Sequence, residues 1–187
     1  MENSVSKKGP KRKIFKQWLP DAYYPAVKSI PLDRYYELGF RLILLDIDNT
    51  LAIHGSHESQ SYAKENLDYM RSLGFRVIVL SNALEERARR FGHSLDPDLE
   101  VLGDARKPSA KGVYRALELT GLNKDQTLLI GDQLFTDVWC GTRAGVSVVL
   151  VDRWTSKEPW YIYLKRVGEK IVKGLSGMKQ HYDTILG

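Results

Sequence analysis

Cysteine is nearly absent: Cys140 is the only one in 187 residues. That excludes an internal disulfide framework, argues against a Cys-rich zinc site and fits a reducing, cytoplasmic setting. The residue itself reads as a small buried helix position. Long apolar runs are also missing. No stretch approaches the roughly 20 residues a membrane-spanning helix needs, and the charged N-terminus lacks the apolar core of a signal peptide. The chain therefore reads as soluble, or as peripheral on the inner face of a membrane. There is no internal repeat and no recognisable RNA-binding motif. Only four histidines occur. His54 and His57, in a polar stretch over 52–61, have no His or Cys partners nearby, so a solvent-facing loop is the better reading than a zinc site.

What is present suffices for one domain with extensions. Hydrophobic residues make up 43% of the chain, enough for a real core. The net charge of +5 is unevenly spread. Residues 1–41 hold nine Lys/Arg against four Asp/Glu and residues 153–187 seven against three, whereas 42–152 hold twelve against sixteen. An acidic centre is flanked by two basic ends, and such ends suit anionic surfaces, either phospholipid or nucleic acid.

The pattern divides the chain into a basic mobile segment (1–13), an aromatic and basic extension (14–41), a catalytic core (42–152) and a basic amphipathic extension (153–187). In the first extension Ile14, Phe15, Trp18 and Leu19 stand among lysines, which fits packing on the core or on a membrane. In the second, Trp154, Trp160, Tyr161 and Tyr163 lead into a helix with Leu164, Val167, Ile171, Val172 and Leu175 on one face. Lys165, Arg166, Lys170 and Lys173 occupy much of the rest. Interfacial anchoring and packing on the core are both open for that helix.

Within the core, strands are expected at 42–45, 75–80, 99–102, 127–130 and 147–151. Helices are expected between them, from Gln60 to Leu73, through Arg90 or Phe91, over 109–120 and over 135–144. Continuous apolar strands such as LILL are covered on both faces, the state of a parallel sheet. The expectation is a doubly wound, mainly parallel α/β fold of about five strands with right-handed crossovers.

Asp46/Asp48, Ser81/Asn82, Lys107 and Asp132/Asp137 all fall just beyond strand ends or in the loop or helix start that follows. In open α/β sheets that is the edge where ligands bind. Asp46 and Asp48 are two apart, so in extended chain both carboxylates face one volume. Such a pair calls for a divalent cation or a shared proton. A carboxylate attacking phosphorus would form an aspartyl-phosphate at Asp46. Mg²⁺ against Asp46 and Asp132 would neutralise phosphoryl oxygens, and Asp48 could protonate the leaving oxygen and then activate water. Ser81, Asn82 and Lys107 offer donors and charge for a phosphate. Asp137 could orient metal-bound water or Lys107, or simply favour the helix dipole.

The strings DIDNT at 46–50, SN at 81–82, KP at 107–108 and GDQLFTD at 131–137 resemble the four ordered motifs of haloacid dehalogenase superfamily phosphatases, subfamily IIIA. With the preceding aromatic segment they resemble more narrowly the YqeG family, over about residues 14–166. The resemblance implies a Rossmann-like domain, nucleophile Asp46, acid/base Asp48 and phosphate-binding Thr50, Ser81, Asn82 and Lys107. It also implies Mg²⁺ held by Asp46, the Asp48 carbonyl and Asp132, with Asp137 in support. Relatives include phosphatidylglycerophosphate phosphatases, which implies an anionic phospholipid substrate. Ala83 and Thr142 depart from the family pattern, where Asn is expected, and touch substrate contacts more than the catalytic set. Only 30 residues separate Thr50 from Ser81 and 24 separate Asn82 from Lys107. Both intervals are taken up by core elements, so no cap domain fits and an open site is expected. The same chemistry on a nucleic-acid end, phosphoprotein or soluble metabolite, and an RNA- or ribosome-associated binding protein with a vestigial site, are the alternatives.

Overall fold

A computed structural model of the chain describes residues 15–48, 50, 57–153, 160–178 and 181–187, with side chains except over 57–60 and 160–166. The basic segment 1–13, His54 and Trp154 lie outside the described residues, as do the side chains of His57, Trp160, Tyr161, Tyr163, Leu164, Lys165 and Arg166.

Among the described residues seven strands form one sheet: β1 (Ala22–Tyr24), β2 (Leu42–Leu45), β3 (Arg76–Leu80), β4 (Glu100–Leu102), β5 (Thr127–Gly131), β6 (Ser147–Val151) and β7 (Tyr182–Asp183). Their order is β4-β3-β2-β5-β6-β1-β7, and all neighbours are parallel except β1 and β7. Among the described residues six α-helices accompany them: α1 (Leu32–Glu37), α2 (His57–Ser72), α3 (Glu85–Leu95), α4 (Lys111–Thr120), α5 (Trp139–Ala144) and α6 (Trp160–Ser176).

Every residue of β2 is buried. Ile43 and Leu45 pack with Met70, Val77 and Val79 on one face of the sheet, while Leu42 and Leu44 pack with Ile78, Leu129 and Val148 on the other. A strand with two covered faces needs apolar residues at every position, which is why the LILL run is unbroken. Cys140 is buried in the second layer, and burial pushes its thiol up to about 12. It donates to the Ser109 carbonyl as a packing residue, not a thiolate.

The five strands expected from the sequence are present, and two more extend the sheet from outside the expected core. β1 lies parallel to β6, and β7 closes the far edge. Asp21 fastens this edge: its backbone N–H donates to the Val148 carbonyl and its carboxylate accepts from the Val148 N–H, both at 2.9 Å. Asp183 accepts the hydroxyls of Tyr24 and Tyr35 at 2.5 and 2.6 Å. Burial opposes its charge, but those hydroxyls and the N–H groups of Leu186 and Ile185 hold its carboxyl below the usual carboxylate range. The N-terminal aromatics that are described pack on the core, Trp18 edge-on to Phe135 at 5.4 Å and to Trp139 at 5.9 Å.

Helix α2 occupies the interval between β2 and β3, beginning at His57 and so earlier than the spacing suggests. Helix α3 and β4 occupy the interval before Lys107. Between β5 and α5 the chain makes a π-helical turn, Leu134–Val138, where the sequence pattern predicts ordinary helix from Phe135.

Candidate active site

Strand order reverses between β2 and β5, and the crevice at such a switch point is where open α/β sheets bind ligands. Asp46 sits there. Its N–H donates to the Ile130 carbonyl at 3.0 Å, which ties the first residue beyond β2 to β5. Ile47 turns into the core and is 5% exposed. The Asp48 carboxylate is a third exposed and is bound by Arg87 of α3 at 2.8 Å.

A double clamp delivers Lys107 from the other side. The Asn82 side chain accepts the Lys107 N–H at 2.6 Å and donates to the Lys107 carbonyl at 3.0 Å. The Asp104 N–H donates to the Ala83 carbonyl at 2.8 Å, and Asp104 and Arg106 are held at φ 44° and 52°. Left-handed backbone at two non-glycine residues is costly and persists where surroundings enforce it. The Asn82 side chain thus engages Lys107, and Ser81 Oγ accepts from the Ala83 N–H at 3.1 Å. The Thr50 hydroxyl is buried and has no hydrogen-bond partner among the described residues.

Lys107 itself is buried, with Nζ 2.6 Å from Asp46 Oδ1 and 2.6 Å from Asp137 Oδ1. Burial alone would lower its pKa, but the Asp137 and Asp46 carboxylates outweigh that and raise it, so the ammonium is kept. Burial pushes the Asp46 carboxyl up to about 7, against Lys107 and with help from the Asp137 charge. Asp137 is oriented by the π turn, whose Gln133 N–H donates to Oδ2 at 3.0 Å. Gly131 makes room for it: a Cβ there would lie 2.4 Å from Asp137 Cγ. Gly131→Ala is therefore expected to displace Asp137, costing about 1–3 kcal/mol as overpacking and lowering kcat more than KM. Thermal unfolding and steady-state kinetics together check this.

Asp46, Asp132 and Asp137 are all buried and bring one carboxylate oxygen each within 4.8 Å of the others. Three carboxylates and one ammonium leave a formal charge of −2. Buried charge of that size calls for a cation, and an all-oxygen donor set fits Mg²⁺. The Asp48 side chain is not in this group.

Comparison with known proteins agrees with that geometry. The HAD-hydrolase-like family model matches residues 104–176, which include Lys107, Asp132 and Asp137. The chain is 30% identical over 165 residues to the Bacillus subtilis protein named probable phosphatase YqeG, covering 88% of this chain and 94% of that one. The chain belongs to the YqeG family of haloacid dehalogenase superfamily phosphatases. A phosphoglycolate phosphatase of Aquifex aeolicus is 35% identical over 91 residues, 45% of this chain and 42% of that protein. A solved Haemophilus somnus structure, described as a predicted phosphoglycolate phosphatase, shares the fold with TM-score 0.50 at 17% identity, over 60% of this chain and 85% of that one.

This YqeG-family phosphatase thus gathers Asp46, Lys107, Asp132 and Asp137 into one buried cluster, with Asn82 bound to the Lys107 backbone and Asp48 at the exposed rim. Three residues escape sequence reasoning. Arg87 hides in a helix rich in Glu and Arg, Gly131 lies in the GDQLFTD string but its role shows only through the side chain it admits, and buried Glu169, which accepts the Phe135 N–H at 3.3 Å, carries no motif.

Proposed function

We propose that the protein is a Mg²⁺-dependent phosphomonoesterase that removes the terminal phosphate of phosphatidylglycerophosphate through an aspartyl-phosphate on Asp46. The observation that carries this reading is the buried Asp46–Lys107–Asp137 chain beside Asp132 at the switch point. Asp46, Asp132 and Asp137, with the Asp48 carbonyl, would hold the ion, which when bound supplies positive charge to the phosphoryl oxygens.

The residues do the rest. An Asp46 oxygen attacks phosphorus as the ester P–O bond breaks, and Asp48 gives its proton to the leaving alkoxide. Asp48 then takes a proton from water, which attacks the aspartyl-phosphate, releases inorganic phosphate and restores Asp46. Asp48 is suited to both tasks because it stands at the solvent edge, and it must leave Arg87 to serve as acid. Lys107, Ser81 and Thr50 are assigned to the phosphoryl oxygens. Asn82 holds Lys107 in place.

A lipid substrate is supported by α6. Val167, Ile171 and Leu175 are 41%, 56% and 51% exposed and form one apolar stripe, with Lys170 exposed beside it. Among the described residues no helix is long and apolar enough to cross a membrane. A stripe of this kind with a basic flank suits the surface of an anionic bilayer. The alternative, a soluble phosphomonoester, is favoured by the similarity to the Aquifex phosphoglycolate phosphatase.

A Mg²⁺ hydrolysis screen over phosphatidylglycerophosphate in anionic vesicles, phosphoglycolate and a 5′-phosphorylated oligonucleotide decides between substrates. Each Ile or Leu side chain buried is worth about 1.5–3 kcal/mol. Ile171→Ser with Leu175→Ser is accordingly expected to lower vesicle hydrolysis by more than about tenfold, while p-nitrophenyl phosphate hydrolysis changes by less than about twofold. Equal losses on both substrates would count against bilayer docking by α6.

A further inference from the structure

A cavity of about 390 Å³ opens where β4 ends and α4 begins. Buried Leu102 and Ala105 give it apolar surface, while Arg106 of the intervening loop and Lys111 and Arg115 of α4 give it charge. Asp104 is the one acid in the lining, and its carboxylate already accepts the Glu85 N–H at 3.1 Å. The three cations are exposed, and their side chains form no ion pair or hydrogen bond among the described residues. The lining thus carries a formal charge of +2. The helix adds to the same sign. Lys111 is the first residue of α4, no acid stands in the first turn, and Ala110 before it makes no side-chain cap. At the positive end of a helix a cation is unfavourable and an anion is stabilising. Three cations kept together beside such an end are relieved by a bound anion.

We propose that this cavity is an effector site for a small phosphate-bearing anion, held by Arg106, Lys111 and Arg115, which steadies the loop that carries Lys107. The volume sets the class of ligand. At about 30 Å³ per water the cavity takes about a dozen waters, which is room for a phosphate with its hydration or with a compact organic group. The site is separate from the catalytic one. Neither Lys107 nor Asp46, Asp132 or Asp137 lines it, and β4 is two strands away from β2, or about 10 Å. The connection runs through the backbone. The loop that bears Arg106 is tied to the end of β3 by the Ala105 N–H, which donates to the Ser81 carbonyl at 3.0 Å, and by the Asp104 N–H on the Ala83 carbonyl. The residue after Arg106 is Lys107, whose ammonium reaches Asp46 and Asp137. The left-handed backbone at Asp104 and Arg106 is costly. An anion that joins Arg106 to α4 binds this arrangement of the loop in preference to a relaxed one, and so favours the arrangement that presents Lys107.

The test titrates inorganic phosphate into the full-length protein in EDTA, by calorimetry. Without a cation the Asp46 cluster holds a formal charge of −2 and disfavours a phosphate dianion, so binding is read at the cavity. One phosphate per chain is expected, retained by Asp46→Asn. In Lys111→Gln/Arg115→Gln, at two exposed helix positions, its Kd should rise by about tenfold or more, the scale of lost charge-assisted hydrogen bonds. Lys111→Arg/Arg115→Lys should restore it. Glycerol 3-phosphate separates the sources: binding tighter than that of phosphate assigns the site to phosphomonoesters, and equal binding assigns it to free phosphate. No binding, equal Kd values in wild type and the glutamine variant, or equal displacement by chloride at matched ionic strength would overturn the site. Hydrogen exchange reads the coupling. Phosphate is expected to slow exchange at the amides of Asp104, Ala105 and Lys107 in wild type and not in the glutamine variant, and binding that leaves those amides unprotected would overturn the effector role. Failure of the Asp46 assignment shows itself separately, as hydrolysis retained by Asp46→Asn.

Discussion

Asp46→Asn is expected to lower kcat by at least about four orders of magnitude on every phosphomonoester the protein hydrolyses, because covalent catalysis ends when its nucleophile is lost. The fold should survive. Asp46 is buried, and its carboxyl is pushed up to about 7 by burial, against Lys107. A folded-state pKa above the unfolded value near 3.9 means that the group's stabilising contribution is full below about pH 4 and is lost as pH rises through about 7. Asparagine does not titrate, and it reduces the buried charge of the cluster from −2 to −1. In metal-free buffer at pH 8 the variant should therefore melt no lower than wild type, and it should lack the part of the pH slope between about 4 and 7 that Asp46 causes. EDTA should stop the wild-type reaction reversibly. A folded Asp46→Asn protein that still turns over in Mg²⁺ would require another nucleophile.

Much of this architecture is legible in the residues because the physics that makes it is local. The LILL run announces a strand covered on both faces, and its termination in Asp46 marks the sheet edge. Likewise Ser81, Lys107 and Asp132 follow apolar runs whose length identifies them as strands. The edge strands β1 and β7 are another matter. They have three and two residues, too short to carry a period, and are held by Asp21 and Asp183, whose partners lie more than a hundred positions away. Asp183 in the C-terminal tail gives no sign that it will receive two tyrosine hydroxyls from the N-terminal extension. The same distance hides the relation of Lys173 to Tyr23. As a sequence, α6 is an amphipathic basic helix with cations and apolar residues interleaved. Only its packing reveals that Lys173 turns towards Tyr23 while Ile171 turns outward.

Lys107→Met should produce the largest loss of stability of any single substitution in the site. The ammonium is buried between two carboxylates at 2.6 Å from each. Removing one member of a buried ionic cluster leaves uncompensated charge, at a cost of about 3–5 kcal/mol. For a chain of this size that corresponds to a fall in Tm of roughly 10 °C. The sign of the pH dependence identifies the cause. Without Lys107, the influence that most strongly holds the Asp46 carboxyl down is gone, so its folded pKa moves further above the unfolded value. The variant is then most stable near pH 5, where the carboxyls bind protons, and loses stability progressively as pH rises towards 8. Wild type, with its cation in place, should show a shallower slope. Millimolar Mg²⁺ should raise the Tm of the variant at pH 8, since a cation bound only by the folded state stabilises it by mass action, and should do little at pH 5, where protons occupy the same oxygens. Calorimetric melts at the two pH values, with and without Mg²⁺, read all of this in one experiment. A Tm loss equal at both pH values would assign the damage to packing rather than to charge, and the site would then need some other account of how three carboxylates are tolerated in the core.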